Sequence, residues 1–331
     1  MKILITGGAG FIGSHLADKL LADNHEIYVI DNLSTGSLEN IEHNFGNVHY
    51  HFIKKDISDY STLYEYSTKC NLIFHLASSV GVKYIMDNPV KSLDSNILSA
   101  ISIIKIATEL KKRIVIFSSS EIYGKNNKSE LFESDDRIIG SSFRWSYSIG
   151  KAVGEYYSIA CGREYDLNYV IIRCFNVVGP RQIGDYGMVL PRLVGQAIKN
   201  EPLTVYDDGR QIRTFTHVSD LVNILKLIIN NQETNKQIFN IGSNNSISII
   251  DLAKRIKSLT NSSSSILFIP SKKVYGNDFE DTKTRIPNTY NIMRFTNNYI
   301  FLHIDDIIKS VISYFESPIY QEHFFKKYNQ A

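Results

Sequence analysis

With 331 residues, 43% hydrophobic and 21% charged side chains, the chain can bury a large core and is sized for about two domains. A formal net charge of +2 excludes a broadly basic surface for nucleic acid or acidic lipid. Cys70, Cys161 and Cys174 are odd in number and widely spaced, so neither a disulfide framework nor a metal site is expected. Lys2-Ile3-Leu4-Ile5 runs straight into glycines, too short for a signal peptide or a membrane span. The expectation is a cytoplasmic protein of enzyme size.

Lys2 to Thr6 is a short apolar run of the kind that forms a buried parallel strand. Gly7, Gly10 and Gly13 follow at three-residue spacing, enclosing Phe11 and Ile12, and Ser14 to Leu21 reads as a helix. Glycines between a first strand and a first helix permit a tight turn, close approach of backbone N–H groups to a pyrophosphate, and tight helix–strand packing. Glu26 to Ile30 predicts a second strand that ends at Asp31-Asn32, eighteen residues past Gly13. An acidic residue there accepts hydrogen bonds from the adenosine ribose and repels a 2′-phosphate, so NAD rather than NADP is expected. Val48 to Lys54 is a third strand, followed by Asp56-Ile57 at the expected adenine edge.

Leu72 to Leu76 is a fourth strand running into Ala77-Ser78, whose small side chains let a cofactor lie over the strand end. His75 on this apolar strand reads as a satisfied core histidine. Pro89 to Leu110 is a helix containing Asn96, and Arg113 to Phe117 a fifth strand that opens into Ser118-Ser119-Ser120-Glu121. Ligands of open α/β sheets sit at the carboxyl ends of the strands, so these hydroxyls and this carboxylate face the site. Tyr147 and Lys151 are four residues apart, about one helical turn, which places phenol and ammonium on one helix face. A lysine held against a tyrosine favours the phenolate, a base able to take a proton from an alcohol.

After a sixth strand at Asn168 to Arg173 the pattern changes. Val189 to Asn200 reads as a helix, Leu203 to Tyr206 and Thr214 to His217 as strands, and Ser219 as the cap of a further helix. Gln237 to Ile241 is a strand returning to the main sheet, Ile249 to Leu259 a helix, Ile266 to Ile269 a strand, and His303 to Phe315 an amphipathic helix.

Gly7 to Gly13, Asp31, Ser119 before Tyr123-Gly124, Tyr147 with Lys151, Arg173 to Arg181, Pro202 to Tyr206, Arg213 to Leu221 and Phe239 to Gly242 occur in this order. Together they resemble the extended short-chain dehydrogenase/reductase family, in its branch of nucleotide-sugar epimerases, dehydratases and decarboxylases. The resemblance implies an α/β fold: a Rossmann-type doubly wound parallel sheet with a smaller, discontinuous C-terminal α/β substrate domain. Residues 1–175 with about 215–261 would form the NAD domain, and 176–214 with 262–331 the domain for a nucleotide-diphosphate sugar. The expected cofactor contacts are Gly7, Gly10, Phe11, Ile12, Gly13, Asp31, Asn32, Asp56, Ile57, Leu76, Ala77, Ser78, Asn96, Tyr147 and Lys151. By family position Asn176, Arg213 and Arg285 look like diphosphate contacts and Leu203, Val205 and Tyr206 like a nucleobase wall, with Val189 and Arg192 completing the substrate set. The helices around Asn96 and Tyr147 pair across a two-fold axis in this family, which implies a homodimer.

The chemistry implied is oxidation at sugar carbon 4: Tyr147 takes the hydroxyl proton, Ser119 bonds the same oxygen, Lys151 supports the phenolate, and NAD accepts the hydride. The branch then opens to 4-epimerisation, 4,6-dehydration or decarboxylation of a hexuronic acid. Glu121 resembles the dehydratases and glucuronate decarboxylases, and Ser120 stands where many 4,6-dehydratases carry an acidic aspartate. Decarboxylation of UDP-glucuronate is therefore preferred, with a UDP-sugar 4-epimerase or a 4,6-dehydratase as alternatives. Met188 lies near where glucuronate decarboxylases tend to carry an arginine for the substrate carboxylate, a role left to Arg144 or Arg192. A non-catalytic NAD sensor is disfavoured because Ser119, Tyr147 and Lys151 are all present.

Overall fold

The computed structural model describes residues 1–182, 184, 188–276, 279–318 and 320, so the last part of the expected 262–331 segment, 321–331, lies outside the described residues. The first half alternates strand and helix: β1 (Lys2–Thr6), α1 (Phe11–Ala22), β2 (Glu26–Asp31), β3 (Tyr50–Lys54), α2 (Tyr60–Lys69), β4 (Leu72–His75), α3 (Val82–Asp87), α4 (Pro89–Glu109), β5 (Arg113–Ser119), α5 (Ser146–Glu164) and β6 (Tyr169–Cys174). Then come β7 (Val177–Val178), α6 (Val189–Ile198), β8 (Leu203–Tyr206), β9 (Ile212–Thr214), β10 (Thr216–His217), α7 (Val218–Ile229), β11 (Gln237–Ile241), β12 (Ser246–Ser248) and α8 (Ile249–Leu259). The last described elements are β13 (Ile266–Ile269), α9 (Ser271–Tyr275), β14 (Thr284–Arg285), α10 (Tyr290–Met293) and α11 (Ile304–Glu316).

Seven parallel strands form the main sheet in the order β3-β2-β1-β4-β5-β6-β11. Their near-continuous apolar sequences follow from burial on both faces, and the helices supply two apolar layers, one around Ile5, Val29 and Phe117, the other around Leu4, Ile73 and Ile116. The chain winds outward from β1 in both directions, so the strand order reverses between β1 and β4 and opens a crevice at their carboxyl ends. Thr6 pairs with Ile30 on one side and His75 on the other, which brings the ends of β1, β2 and β4 to one rim.

A second core joins α6, β8, α8 and α11 through Leu193, Val205, Leu252 and Ile308. It also includes Ile249, Ala253 and Ile256, so a division drawn at 261 separates α8 from the side chains it packs on. Conversely Ile292 lies in the first core, with Phe295, Tyr299 and Phe301 against it, so the chain returns to the main sheet within the expected second segment.

Two local expectations are corrected. The strand expected over Thr214 to His217 is split at Phe215, whose ring is buried in the second core. On one side β9 pairs with β12 and β14, and on the other β10 pairs with β7. The cap of α7 is His217 rather than Ser219: its ring accepts the Ser219 N–H, while the Ser219 hydroxyl lies 2.6 Å from the same ring nitrogen. An imidazole thus meets an orphan donor of the first turn that the hydroxyl was expected to cap.

Candidate active site

The main cleft runs along the carboxyl rim of the sheet from the turn after β1 to the start of the second lobe. Gly7 has φ +74°, and a Cβ there would lie 2.7 Å from Ala77 N, while a Cβ on Gly13 would lie 2.3 Å from Gly7 O. Only glycine fits either place, because the first turn of α1, the end of β1 and the segment after β4 share one narrow space. The turn thereby presents the α1 N-terminus to the cleft, the arrangement that receives a pyrophosphate. Phe11, Ile12, Asn32, Asp56, Ile57, Leu76, Ala77 and Ser78 line the same cleft.

Asp31 ends β2 with its carboxylate fixed by two backbone donors, Ala9 N at 3.0 Å and Leu33 N at 2.8 Å. Burial raises its pKa against those bonds, yet each oxygen keeps capacity for a further hydrogen bond such as one from a ribose hydroxyl, and Asp31 is among the residues that line the cleft. Asn32 donates to Asp56 at 2.5 Å, so the two expected contacts hold each other. His75 is the core histidine anticipated: its Nδ1 lies 2.8 Å from Thr6 Oγ1, and burial drives its pKa down to about 3. Asn96 departs from the expectation. It is buried under the loop, accepting from Ser79 N at 2.9 Å and donating to Ser79 O at 3.2 Å, and it shapes the cleft without lining it.

Ser119, Ser120, Glu121, Tyr147 and Lys151 converge on the cleft from the end of β5 and the first turns of α5. Lys151 Nζ donates to Phe117 O at 2.8 Å and lies 5.9 Å from the centroid of the Tyr147 ring. The expected effect on the phenol is corrected: burial, then the nearby Glu121 charge, push the Tyr147 pKa up, and hydrogen bonding with Ser119 and Ser78 pulls back only part of it. Desolvation disfavours the phenolate more than this chain's own groups favour it. Burial also lowers Lys151, to about 8.

Beyond Tyr147 the cleft ends in a charge cluster. Arg144 Nη2 meets Glu121 Oε2 at 2.6 Å and Arg285 Nη1 meets Glu121 Oε1 at 2.5 Å. Arg285 reaches the site on β14, so Glu121 ties the second lobe to the first. Arg144 and Arg285 then override desolvation and hold the carboxyl at about 2. Arg213 is paired with Asp281 at 2.7 Å. Three guanidinium groups against two carboxylates leave one positive charge in excess, and among the described residues the buried Nε of Arg144 has no hydrogen-bond partner.

Of the expected substrate residues, Asn176 and Arg285 line the cleft, and the others do not. Leu203 and Val205 are fully buried in the second core, so their side chains cannot form a nucleobase wall. Tyr206 stacks under Arg192, 4.5 Å from guanidinium carbon to ring centroid, and meets Tyr275 edge-on. Arg192 is committed to Thr204, donating to its carbonyl at 2.7 Å, and Val189 packs against the second core. Of the two arginines considered for a substrate carboxylate, Arg144 lines the cleft, as does Met188. Asp281 had no signal in the sequence; Arg144 lies in the short turn Phe143–Trp145 that leads into α5, three residues before Tyr147.

A glycine-cradled helix terminus, a ribose-side aspartate and a Ser–Tyr–Lys group define a dinucleotide-dependent enzyme of the doubly wound class. A family model described as the NAD dependent epimerase/dehydratase family matches residues 3–242. The chain is 35% identical over 317 residues to a UDP-N-acetyl-alpha-D-glucosaminuronate decarboxylase of Bacillus cytotoxicus, covering 95% of this chain and 97% of that protein. It is 36% identical to UDP-glucuronic acid decarboxylase 1 of Xenopus tropicalis, over 81% of this chain and 62% of that longer protein. Among solved structures it resembles a UDP-glucose 4-epimerase of Thermotoga maritima, with TM-score 0.85, 27% identity and 95% and 98% of the two chains covered. A UDP-glucuronic acid 4-epimerase of Bacillus cereus, solved with UDP-glucuronic acid and NAD, gives TM-score 0.86 and 25% identity over 97% and 100%. The chain belongs to the NAD-dependent epimerase/dehydratase family and is an NAD-dependent enzyme of nucleotide-sugar modification.

Proposed function

We propose that the protein decarboxylates a UDP-hexuronic acid through a 4-keto intermediate. The observation that carries this reading is the pairing of Glu121 with Arg144 and Arg285 in the cleft beyond Tyr147. A carboxyl held at about 2 is a poor base for the carbon 5 proton, which disfavours dehydration. The cluster keeps one excess positive charge and, among the described residues, an unpartnered buried donor, which suits a sugar bearing a carboxylate. The similarity to two decarboxylases of uronic acid nucleotides supports the same choice.

In this mechanism Gly7 to Gly13 and Asp31 hold NAD, which when bound supplies a hydride acceptor for carbon 4 and a positive charge. Tyr147 takes the carbon 4 hydroxyl proton as the phenolate, the form that the cofactor's positive charge together with the Lys151 ammonium would favour against burial, while Ser119 bonds the same oxygen. Once carbon 4 is a ketone, the bond from carbon 5 to the carboxylate breaks, carbon dioxide leaves, and the electron pair passes into the carbonyl. Ser119 and Tyr147 then face the enolate oxygen. Carbon 5 takes up a proton, and Tyr147 gives its proton back to the carbon 4 oxygen as the hydride returns to carbon 4, so the net change is loss of carbon dioxide alone. Arg285 and Asn176 bind toward the diphosphate side, and Arg144 the carboxylate. Ile149 and Tyr156 are exposed on α5, which packs beside α4, and this supports a homodimer through these helices. Among the described residues no helix is long and apolar enough to cross a membrane, and a cytoplasmic lyase is the accompanying proposal.

The test is mass spectrometry of products from UDP-glucuronate and UDP-N-acetylglucosaminuronate, with UDP-glucose as the uncharged control. Loss of carbon dioxide from either uronate is expected. Unchanged mass with a new chromatographic peak, or loss of water, would overturn the reading in favour of epimerisation or dehydration.

A further inference from the structure

Behind the Tyr147–Lys151 turn lies a second buried ion cluster that the reaction itself does not use. Glu155 is one turn beyond Lys151 on α5 and is 0% exposed. Its Oε1 accepts from Ser118 Oγ at 2.5 Å and from Arg173 Nε at 3.0 Å. Its Oε2 accepts from Arg173 Nη2 at 2.8 Å and from Arg137 Nη2 at 2.5 Å. Ser118 stands between Phe117, whose carbonyl anchors Lys151, and Ser119. Arg173 precedes Cys174 at the end of β6 and also donates to Tyr123 Oη at 2.9 Å and to Glu133 O at 2.8 Å. One carboxylate therefore joins the catalytic helix to the two strands that carry its neighbours.

The groups acting on Lys151 come from α5, β4, β5 and β6. The Phe117 carbonyl from β5 is uncharged, and Tyr147 from its own helix carries a charge only as the phenolate of the reaction. His75 on β4 is neutral because burial lowers it to about 3, and Cys174 on β6 is a neutral thiol because burial raises it to about 12. The carboxylate left to act on Lys151 is Glu155, backed by Arg173 and, on its outer side, by Arg137, which is 15% exposed and stacks on Tyr156.

We propose that Glu155 is a positioning residue of the reaction: it clamps α5 to the ends of β5 and β6 and supplies the negative charge against which Lys151 holds its proton. This rests on the catalytic reading of Tyr147 and Lys151 above. Removing the Glu155 charge disfavours the Lys151 ammonium, whereas removing the Arg137 charge favours it. A purely structural brace predicts no such opposition.

The experiment compares kcat/KM against pH for the wild type, Glu155→Gln and Arg137→Gln, with thermal melting alongside. In the wild type the alkaline limb is expected near 8, where Lys151 loses its proton. Glu155→Gln is expected to move that limb down by about one pH unit, from one charge a helical turn away. Arg137→Gln is expected to move it up by a smaller amount. Lowered melting temperature with an unmoved limb, or movement of both variants in the same direction, overturns the proposal. Should Glu155→Gln fail to fold, Arg137→Gln alone decides, an upward shift supporting the proposal and an unmoved or lowered limb overturning it. Tyr147→Phe, assayed in parallel, separates the two readings. If it stays active, the catalytic reading itself fails; if it is inactive and the limbs do not move as stated, only the Glu155 proposal fails.

Discussion

Replacing Glu121 by Gln removes one negative charge from between two buried guanidinium groups, and the structure sets the size of the effect. The carboxyl falls from its ordinary 4.5 to about 2, with Arg144 and Arg285 as the stabilising charges. A depression of that size corresponds to about 3 kcal/mol of folding stability, present above the unfolded pKa and lost as pH falls through the folded one. Of this, about 1 kcal/mol has gone by about pH 3.5, and most of the remainder goes below it. At neutral pH Glu121→Gln is therefore expected to lower Tm by about 4 °C for a chain of this length. The difference from wild type should narrow as the buffer is taken from about pH 5 toward about pH 3. Calorimetry across that range measures it, and kcat/KM profiles measure the chemistry. A wild-type acid limb between about pH 5 and 7 that vanishes in Glu121→Gln would refute the reasoning, because it would show a carboxyl titrating as a general acid or base rather than one fixed as an ion pair.

Three other outcomes follow from the site. Tyr147→Phe removes the proton acceptor and is expected to reduce product formation at least about 100-fold; retention of more than a small fraction of turnover would dismiss Tyr147 as the base. Gly13→Ala places a methyl 2.3 Å from the Gly7 carbonyl, so NAD binding measured by calorimetry should weaken by about tenfold or more, and unchanged affinity would contradict the pyrophosphate cradle. Arg144→Met leaves Glu121 with one arginine and takes away the free donor, so kcat/KM for a UDP-uronate should fall by about 100-fold while the affinity for UDP holds; an equal loss for both would show that Arg144 only maintains the fold.

The strands of the main sheet, the glycine turn, Asp31 and the Tyr147–Lys151 turn were legible because each is encoded over a few consecutive residues. Apolar runs mark parallel strands, glycine spacing marks a turn where side chains do not fit, and a four-residue interval marks one helix face. The same locality explains why His75 could be read as core, since an apolar strand predicts its burial. It also explains why Asn96 could be placed on its helix without its hydrogen bonds to Ser79 being foreseen.

What only the tertiary structure decided depends on segments far apart in the chain. Leu203 and Val205 look the same in sequence whether they face a nucleobase or a core, and the packing of α6, α8 and α11 turns them inward. Arg192 and Arg144 are equally plausible partners for a carboxylate until Thr204 engages the first and Glu121 places the second in the cleft. The pairing of Glu121 with Arg285, 164 positions later, and the enclosure of Glu155 by Arg137 and Arg173 set the charges around the site. Short-range pattern thus determined the sheet and the cofactor turn. The ionisation of Glu121, Tyr147 and Lys151 was decided by burial and through-space charge, which sequence distance does not record.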